Sequence, residues 1–255
     1  MLIQACLNGA RSRAEHAGVP VTAAAIADDA LACVRAGAAS VHVHPRDASA
    51  RETLAAADVG RAVEAIRAAC PGVQIGVTTA AWIVPDAELR LAAVRAWTAL
   101  PDVASVNLGE EGALQMIELL NARGVGVEAG VWSLADARLL VDEGIDTACV
   151  RVLVEVESAQ SPAEALQLAG AIDAILDDGL AETPRLHHGG DITAWTVIVA
   201  AMERGHDVRV GFEDTLVMPD GSIAASNATL VAAAAELARR AGRALDASAR
   251  LAGRD

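Results

Sequence analysis

A chain of 255 residues with 53% apolar side chains is long enough for one large α/β domain or two small ones. Its formal net charge of −14 repels phosphate backbones and anionic lipid, so nucleic acid and membrane surfaces are not expected partners. We find no apolar run of about 18 residues, no signal-peptide pattern and no C-x-x-C among the four cysteines, which predicts a cytoplasmic protein with free buried thiols.

Eight short apolar runs along the chain indicate β-strands, and each is followed by a longer helical pattern. The strand-like runs begin close to the N-terminus and recur up to the last quarter of the chain. In chain order they cover residues 2–8, 41–44, 73–79, 102–108, 124–131, 147–156, 184–188 and 207–213.

The helical patterns between these runs carry recognisable start and stop signals. Thr22 is a favoured N-cap and Gly37 a favoured C-terminal stop. Pro85 is placed to open the third helix in its first turn. Ser161, with Glu164 three residues later, predicts a capping box. The helical patterns cover 22–34, 54–69, a segment from 85, 111–122, 133–143, a segment from 161, 193–203 and 224–241.

The regular alternation of strand and helix favours a parallel sheet. Eight units in about 250 residues match the size of a (β/α)8 TIM-type barrel. A doubly wound open sheet is the alternative, and the barrel is preferred because polar residues occur at one end of nearly every strand. No linker or composition break divides the chain, so we expect a single domain over residues 1–255.

Polar side chains at the ends of the predicted strands are costly to bury unless they act together. The carboxyl ends of barrel strands form the usual active-site face. These residues are Asn8, His42, His44, Thr78, Thr79, Ser105, Asn107, Glu110, Glu128, Arg151, Glu155, His187, His188, Arg209, Glu213 and Asp214.

The segment "SVHVHPRD" places two histidines on one strand face. Successive strand residues point to opposite faces, so His42 and His44 share the barrel interior while Val41 and Val43 pack under the helices. Two inward imidazoles suit a divalent metal such as zinc, and Glu213 is a candidate third ligand. The alternative is a hydrogen-bonded histidine pair in a polar core.

Other candidate residues also have plain structural interpretations. Glu213 and Asp214 could cap the next segment, and Arg209 could form a structural salt bridge. Thr78 and Thr79 could be ordinary strand threonines, and Ser105 could be a small residue in a tight barrel. His187 and His188, followed by two glycines, could form a turn with solvated imidazoles, and they are second-choice metal ligands because neighbours point in opposite directions.

The sequence resembles the β-keto acid cleavage enzymes over nearly its whole length. The shared motifs keep the order and spacing of that family. They are "NGA" (8–10), "PVT" (20–22), "AGAASVHVHPRD" (36–47), "SVNLG" (105–109), "VEAGVW" (127–132), "RVGFED" (209–214) and "SNATLV" (226–231).

The resemblance implies a TIM-type barrel in a homo-oligomer, a dimer or tetramer, with one divalent metal that is normally zinc. It implies that a β-keto acid and acetyl-CoA, as co-substrate, give acetoacetate and a new acyl-CoA. By motif position, the resemblance implies metal ligands at His42, His44 and Glu213. It implies a general base at Asp214 with Arg209 as its ion-pair partner, and a carboxylate near the metal at Glu128. It implies that Thr78 and Ser105 bind the substrate carboxylate, and Asn107 lies on the same face as Ser105.

The chain also departs from the family pattern. Arg11 stands where the best-described members have a glutamate, and it could bind a negatively charged substrate tail, alter the environment of the base, or be a solvated loop residue. Pro45 replaces a more usual apolar residue. Glu110 and Glu111 fall where the rim would contact substrate or CoA. These changes leave the metal motif intact but alter the part that selects the acyl group.

Two further functions compete with β-keto acid cleavage. One is another metal-dependent barrel hydrolase or aldolase acting on a small carboxylate. Amidohydrolases use an H-x-H pair on the first strand, whereas here it is on the second, and CoA-independent turnover would favour this class. The other is a non-catalytic binding protein, which the complete set of metal and base positions disfavours.

Overall fold

Eight parallel strands close into a barrel in the computed structural model, which describes residues 1–179 and 182–245. Each strand pairs with the next one in the chain, and the eighth pairs with the first. The strands are Ile3–Cys6 (β1), Ser40–Val43 (β2), Gln74–Thr78 (β3), Val103–Asn107 (β4), Gly126–Val131 (β5), Arg151–Val156 (β6), Arg185–Gly189 (β7) and Asp207–Val210 (β8). The (β/α)8 barrel is confirmed and the doubly wound open sheet is wrong.

One α-helix follows each strand in the described part of the chain. Two short 3-10 helices, Ile145–Ala148 and Asp191–Thr193, precede β6 and the seventh helix. The expected domain, 1–255, includes residues 180–181 and 246–255, which lie outside the described residues. The helices are Ala23–Ala36 (α1), Ala56–Ala69 (α2), Ala87–Arg95 (α3), Ala113–Ala122 (α4), Leu134–Asp142 (α5), Pro162–Gly179 (α6), Ala194–Arg204 (α7) and Asn227–Arg240 (α8).

The main core lies between the barrel and the helices. Val41 and Val43 are fully buried in it, as the period-2 pattern of β2 predicts. Leu153 and Leu186 are partners in the β6–β7 ladder and belong to a separate small cluster with Leu2. These three leucines therefore form a small apolar cluster inside the barrel, below the polar ends of β6 and β7.

Several predicted element ends are wrong by a few residues. Pro85 does not open a helix, because Asp86 is the N-cap and accepts a hydrogen bond from the Leu89 amide at 2.9 Å. The run 147–156 is not one strand, since its first residues belong to a 3-10 turn and β6 begins at Arg151. β8 ends at Val210, so the residues after it form a loop over the barrel.

The predicted capping box at Ser161 is only half formed. Its hydroxyl accepts from the Glu164 amide at 3.3 Å, but the Glu164 carboxylate accepts from the Gln160 amide instead of the Ser161 amide. A reciprocal box is present at α8, between Ser226 and Thr229. The serine is correctly placed as a cap, whereas the glutamate closes the loop before it.

Within the described ranges, no helix is both long and apolar enough to cross a membrane. Cys6, Cys33 and Cys70 are buried free thiols, and Cys149 is half-buried and also free. The free thiols agree with the prediction from the cysteine pattern.

Candidate metal and active site

Three side chains from opposite ends of the chain meet at the carboxyl end of the barrel. His42 is in β2, His44 follows β2 directly, and Glu213 lies in the loop after β8. Glu213 Oε1 is 3.2 Å from His44 Nε2 and 3.8 Å from His42 Nε2. The two imidazoles are 1% and 2% exposed, so this is a buried cluster. Both the predicted residues and their predicted convergence are found in the structure.

The loop after β1 explains why these side chains converge. Asn8 is fully buried and makes a reciprocal pair with the backbone of His44, donating to its carbonyl at 3.0 Å and accepting from its amide at 2.9 Å. Gly9 adopts a φ of 50°, and a Cβ there would lie 2.9 Å from Glu213 Cδ. The "NGA" motif therefore holds His44 and leaves space for Glu213.

The cluster has the donor atoms and the support of a divalent-metal site. His44 Nδ1 lies 2.6 Å from Glu52 Oε1, which orients its Nε2 toward Glu213. Trp82 Nε1 donates to the same Glu52 oxygen at 3.2 Å. Glu213 Oε2 is buried without a hydrogen-bond partner, so an oxygen remains for a cation. Two imidazoles and one carboxylate fit zinc and similar metals and leave coordination positions open.

Burial and charge determine the protonation of the ligands. Burial lowers the pKa of His42 to about 3 despite the opposing charge of Glu213, so its imidazole is neutral. Burial also acts to lower the pKa of His44, but Glu213 and Glu52 outweigh it and raise the pKa to about 9. Burial would raise the pKa of Glu213, but Arg209 and His44 hold it well below its usual value. A metal would displace the His44 proton.

Asp214 lies next to the cluster, with one oxygen held and one free. Arg209 donates to Asp214 Oδ1 from Nε at 3.1 Å and from Nη2 at 2.9 Å, and Nη2 also donates to Glu213 Oε1 at 2.6 Å. Asp214 Oδ2 is buried and has no hydrogen-bond partner. Burial would raise the pKa of Asp214, but Arg209 and His188 lower it, so the carboxylate is ionised and can accept a proton.

His188 is a site residue that the sequence reasoning misplaced. It lies in β7 and is 1% exposed, so the solvated-turn interpretation is wrong. Its Nδ1 is 3.2 Å from Asp214 Oδ1, and its Nε2 is 3.3 Å from Glu155 Oε2. The adjacent His187 points to the other side of the sheet, where its Nε2 is 3.3 Å from Asp173 of α6.

Glu128 lies fully buried in the middle of β5. Its Oε1 accepts from Gln4 at 2.7 Å and lies 3.4 Å from Arg151 Nε, whereas Oε2 has no hydrogen-bond partner. The register aligns Glu128 with Ser105 and Arg151. Glu128 is thus a charge-paired carboxylate of the barrel interior.

The predicted carboxylate-binding residues cluster on β3 and β4. Thr78 is the register partner of Ser105, and both are buried. Asn107 donates to Glu110 Oε1 at 2.8 Å, and the same oxygen accepts from the Ala81 amide at 3.0 Å. Glu110 therefore fixes the Asn107 side chain and ties the loop after β3 to the loop after β4.

Arg11 lies at the mouth of the barrel and forms ion pairs, so the interpretation as a solvated loop residue is wrong. Its Nη2 is 2.5 Å from Asp191 Oδ1 and its Nη1 is 3.4 Å from Glu15 Oε1, while its side chain is only 19% exposed. Arg46 donates to the backbone carbonyls of Gly9 and Arg11, which supports this loop from below. The Arg11 guanidinium joins the loops that follow β1 and β7.

Comparison with known proteins gives relatives over almost the whole chain. Two curated proteins named 3-keto-5-aminohexanoate cleavage enzyme are each 27% identical to it. The protein from Fusobacterium nucleatum subsp. nucleatum matches over 258 residues, covering 95% of this chain and 93% of that protein. The protein from Acetoanaerobium sticklandii matches over 263 residues, again covering 95% and 93%.

A solved structure described as a ternary complex of ObcA with a C4-CoA adduct and oxalate has a TM-score of 0.74 to this fold, with 18% sequence identity. The match covers 91% of this chain and 66% of that one, so this chain spans just under two thirds of its length. It shows a shared barrel fold. A family model described as beta-keto acid cleavage enzyme matches residues 1–251. The chain therefore belongs to the beta-keto acid cleavage enzyme family.

Proposed function

We propose that this protein is a zinc-dependent enzyme that converts a β-keto acid and acetyl-CoA into acetoacetate and a new acyl-CoA. The observation that carries the proposal is the meeting of His42, His44 and Glu213 beside the Asp214–Arg209 pair. Family membership and the names of the curated relatives support cleavage of a β-keto acid. The C4-CoA adduct held by ObcA supports a barrel of this kind with room for a CoA ester.

His42, His44 and Glu213 would hold the metal, with Glu52 orienting His44. When bound, a divalent metal supplies a Lewis acid that stabilises negative charge on a keto oxygen. Thr78, Ser105 and Asn107 would bind the substrate carboxylate on β3 and β4, the two strands that follow β2 around the barrel. Binding at both places would fix the carbon between the ketone and the carboxylate.

Asp214 is proposed as the general base. Acetoacetate joins the acetyl group to the carboxymethyl part of the substrate, so the carbon between ketone and carboxylate must become the nucleophile. Asp214 Oδ2 would take its proton, and the carbon would displace CoA thiolate from the acetyl group. The thiolate would then attack the original keto carbon and break its bond to the same carbon. Asp214 would return the proton to that carbon as acetoacetate leaves.

The remaining predicted site residues have supporting roles in this proposal. Arg209 keeps Asp214 ionised and in place. Glu128 contributes negative charge inside the barrel, balanced by Arg151. Arg11 would bind an anionic substrate tail, and this anion would replace Asp191 as the ion-pair partner of the guanidinium. The support for this role is its place at the mouth, with a buried Nε that has no hydrogen-bond partner.

The decisive experiment is to incubate the protein with acetyl-CoA and a panel of β-keto acids, with and without an added zinc salt. We expect acetoacetate and acyl-CoA in equal amounts with at least one acid, and no product without acetyl-CoA. Panel members with a second carboxylate should lose turnover selectively in Arg11→Gln. No acetoacetate with any panel member would refute the proposal, and turnover without CoA would favour a hydrolase or aldolase.

We also propose a homo-oligomer, a dimer or tetramer, that works in the cytoplasm. The four free cysteines support a reducing compartment, because disulfides are typical of oxidising compartments and rare in the cytosol. Light scattering on the purified protein measures the assembly size, and a mass equal to one chain would refute the oligomer.

A further inference from the structure

A buried histidine lies between three carboxylates behind the proposed base. His188 Nδ1 is 3.2 Å from Asp214 Oδ1 and 3.3 Å from Glu157 Oε1, and its Nε2 is 3.3 Å from Glu155 Oε2. Glu155 faces it directly as its register partner in the β6–β7 ladder. None of the roles assigned above uses this residue, although it is 1% exposed and contacts the base.

Without His188, the Asp214 carboxylate would be held from one direction only, by Arg209. Both Arg209 donors bind the same oxygen, Oδ1, and both come from one side chain of β8. A carboxylate has a broad torsional preference, so contacts to one oxygen from one direction restrain the rotation of its plane only weakly. His188 Nδ1 approaches Oδ1 from β7 at an ion-pair distance of 3.2 Å, without forming a hydrogen bond, and this supplies a second direction. Oδ2 is then the oxygen without a partner.

Electrostatics agrees with this geometry. Burial and Arg209 act to lower the pKa of His188, but Asp214 and Glu155 outweigh them and raise it well above the usual value. A doubly protonated ring can face Asp214 with one nitrogen and Glu155 with the other. The ring therefore links the proposed base to a fixed point on β6.

We propose that His188 is a positioning residue that, anchored by Glu155, orients Asp214 so that Oδ2 faces the substrate. This inference rests on the proposed function, because it assigns His188 a role through the proposed base. A positioning role predicts a loss of kcat with substrate binding retained, since the metal ligands and the β3–β4 hydroxyl groups are untouched. It also predicts that the nitrogen facing Asp214 matters more than the nitrogen facing Glu155.

Two substitutions separate the two ring nitrogens. The amide nitrogen of asparagine superimposes on Nδ1 of histidine, and that of glutamine superimposes on Nε2. We expect His188→Gln to lower kcat about 100-fold, the cost of misplacing a reacting group by about 1 Å. His188→Asn should retain within about tenfold of the wild-type kcat. Both should keep wild-type KM for the β-keto acid and the wild-type ratio of metal to protein.

His187→Gln is the matched control, because His187 is the neighbouring residue, equally buried, and faces away from Asp214. It should reproduce any loss of stability in thermal unfolding while keeping kcat. Equal activity of His188→Gln and wild type would overturn the inference, and so would greater activity in His188→Gln than in His188→Asn. Loss of metal in the His188 variants would also overturn it, since the role would then be structural.

A second measurement does not need turnover. In ¹⁵N-labelled wild-type protein at pH 7.5, both ring nitrogens of His188 should carry protons, and His188→Gln assigns the signal. Asp214→Asn should lower the pKa of His188. A His188 ring that is neutral in the wild type and unchanged in Asp214→Asn would contradict the proposed contact. Wild-type protein that turns over no β-keto acid would refute the proposed function alone, and the nitrogen spectra would still decide the contact between His188 and Asp214.

Discussion

Replacing Gly9 by alanine should remove the metal without unfolding the barrel. Gly9 has a φ of 50°, where an alanine costs about 1–2 kcal/mol of unfolding free energy. The added Cβ would lie 2.8 Å from Glu213 Cβ and 2.9 Å from its Cδ, with Cγ closer still. Carbon atoms pack at about 3.5–4.0 Å, so Glu213 must retreat by more than about 1 Å at its Cγ.

Such a shift exceeds what a metal site tolerates, since ligand distances hold within about 0.2 Å. It would also break the 2.6 Å hydrogen bond between Arg209 and Glu213. We therefore expect the dissociation constant for zinc in Gly9→Ala to rise at least about 100-fold, which is about 2.7 kcal/mol. Competition with a chromophoric chelator measures this constant, and urea unfolding of the metal-free protein measures the backbone cost.

Gly144→Ala provides the control for backbone strain. Gly144 has a similar φ of 62°, and no atom lies within 4 Å of the position of its Cβ. Both variants should lose comparable unfolding free energy, but only Gly9→Ala should lose metal. Wild-type zinc affinity in Gly9→Ala, or equal loss of affinity in both variants, would refute the assignment of Glu213 as a ligand held through Gly9.

Three other variants test separate parts of the structure. Burial raises the pKa of Asp29 to about 6, against the opposing effect of the hydrogen bond from Asn227. The contribution of Asp29 to the unfolding free energy is therefore fully present below pH 4 and is lost as the pH rises through 6. Asp29→Asn should raise the unfolding free energy by about 1–3 kcal/mol at pH 8 and hardly at pH 4, and urea unfolding showing equal effects at both would contradict the burial argument. Glu52→Gln should weaken zinc binding about 10–100-fold in the chelator assay because His44 loses its charged partner, whereas Glu118→Gln, at an exposed position of α4, should not. Asp214→Asn should lower kcat for acetoacetate formation about 10²–10⁴-fold with metal content unchanged, and loss of metal would show that Asp214 is a ligand.

Local pattern alone predicts much of the barrel. Alternating strand and helix signals give the right fold because each strand must cover its outer face with a helix, and parallel strands need such a crossover. The two-residue period of β2 places His42 and His44 on one face and Val41 and Val43 on the other, and the apolar face is the one that packs under the helices. Those features depend on short-range geometry, so the sequence of a single strand is enough to predict them.

The end signals of individual elements were less reliable. Pro85 and Glu164 have side chains typical of helix starts, yet each serves the loop before its helix. The choice between neighbouring caps depends on small differences in free energy, which loop packing overrides.

His188 shows what a strand pattern leaves open. In Arg185–Gly189, polar residues occur on both faces, so alternation cannot say which histidine enters the barrel. The answer comes from α6, where Asp173 pairs with Arg185 at 3.0 Å and lies against His187 on the outside. Only that partner makes the outer face polar and assigns the inner face to His188.

The sequence by itself determined the eight-unit barrel, the interior face of His42 and His44, and the residues able to bind a metal or a proton. Tertiary structure alone decided which of these residues contact one another. Closure of β8 onto β1 brings Glu213 to histidines about 170 residues earlier in the chain, and loop contacts join Arg11 to Asp191. Contacts of such separation depend on how the whole barrel closes, and no local window of sequence carries that information.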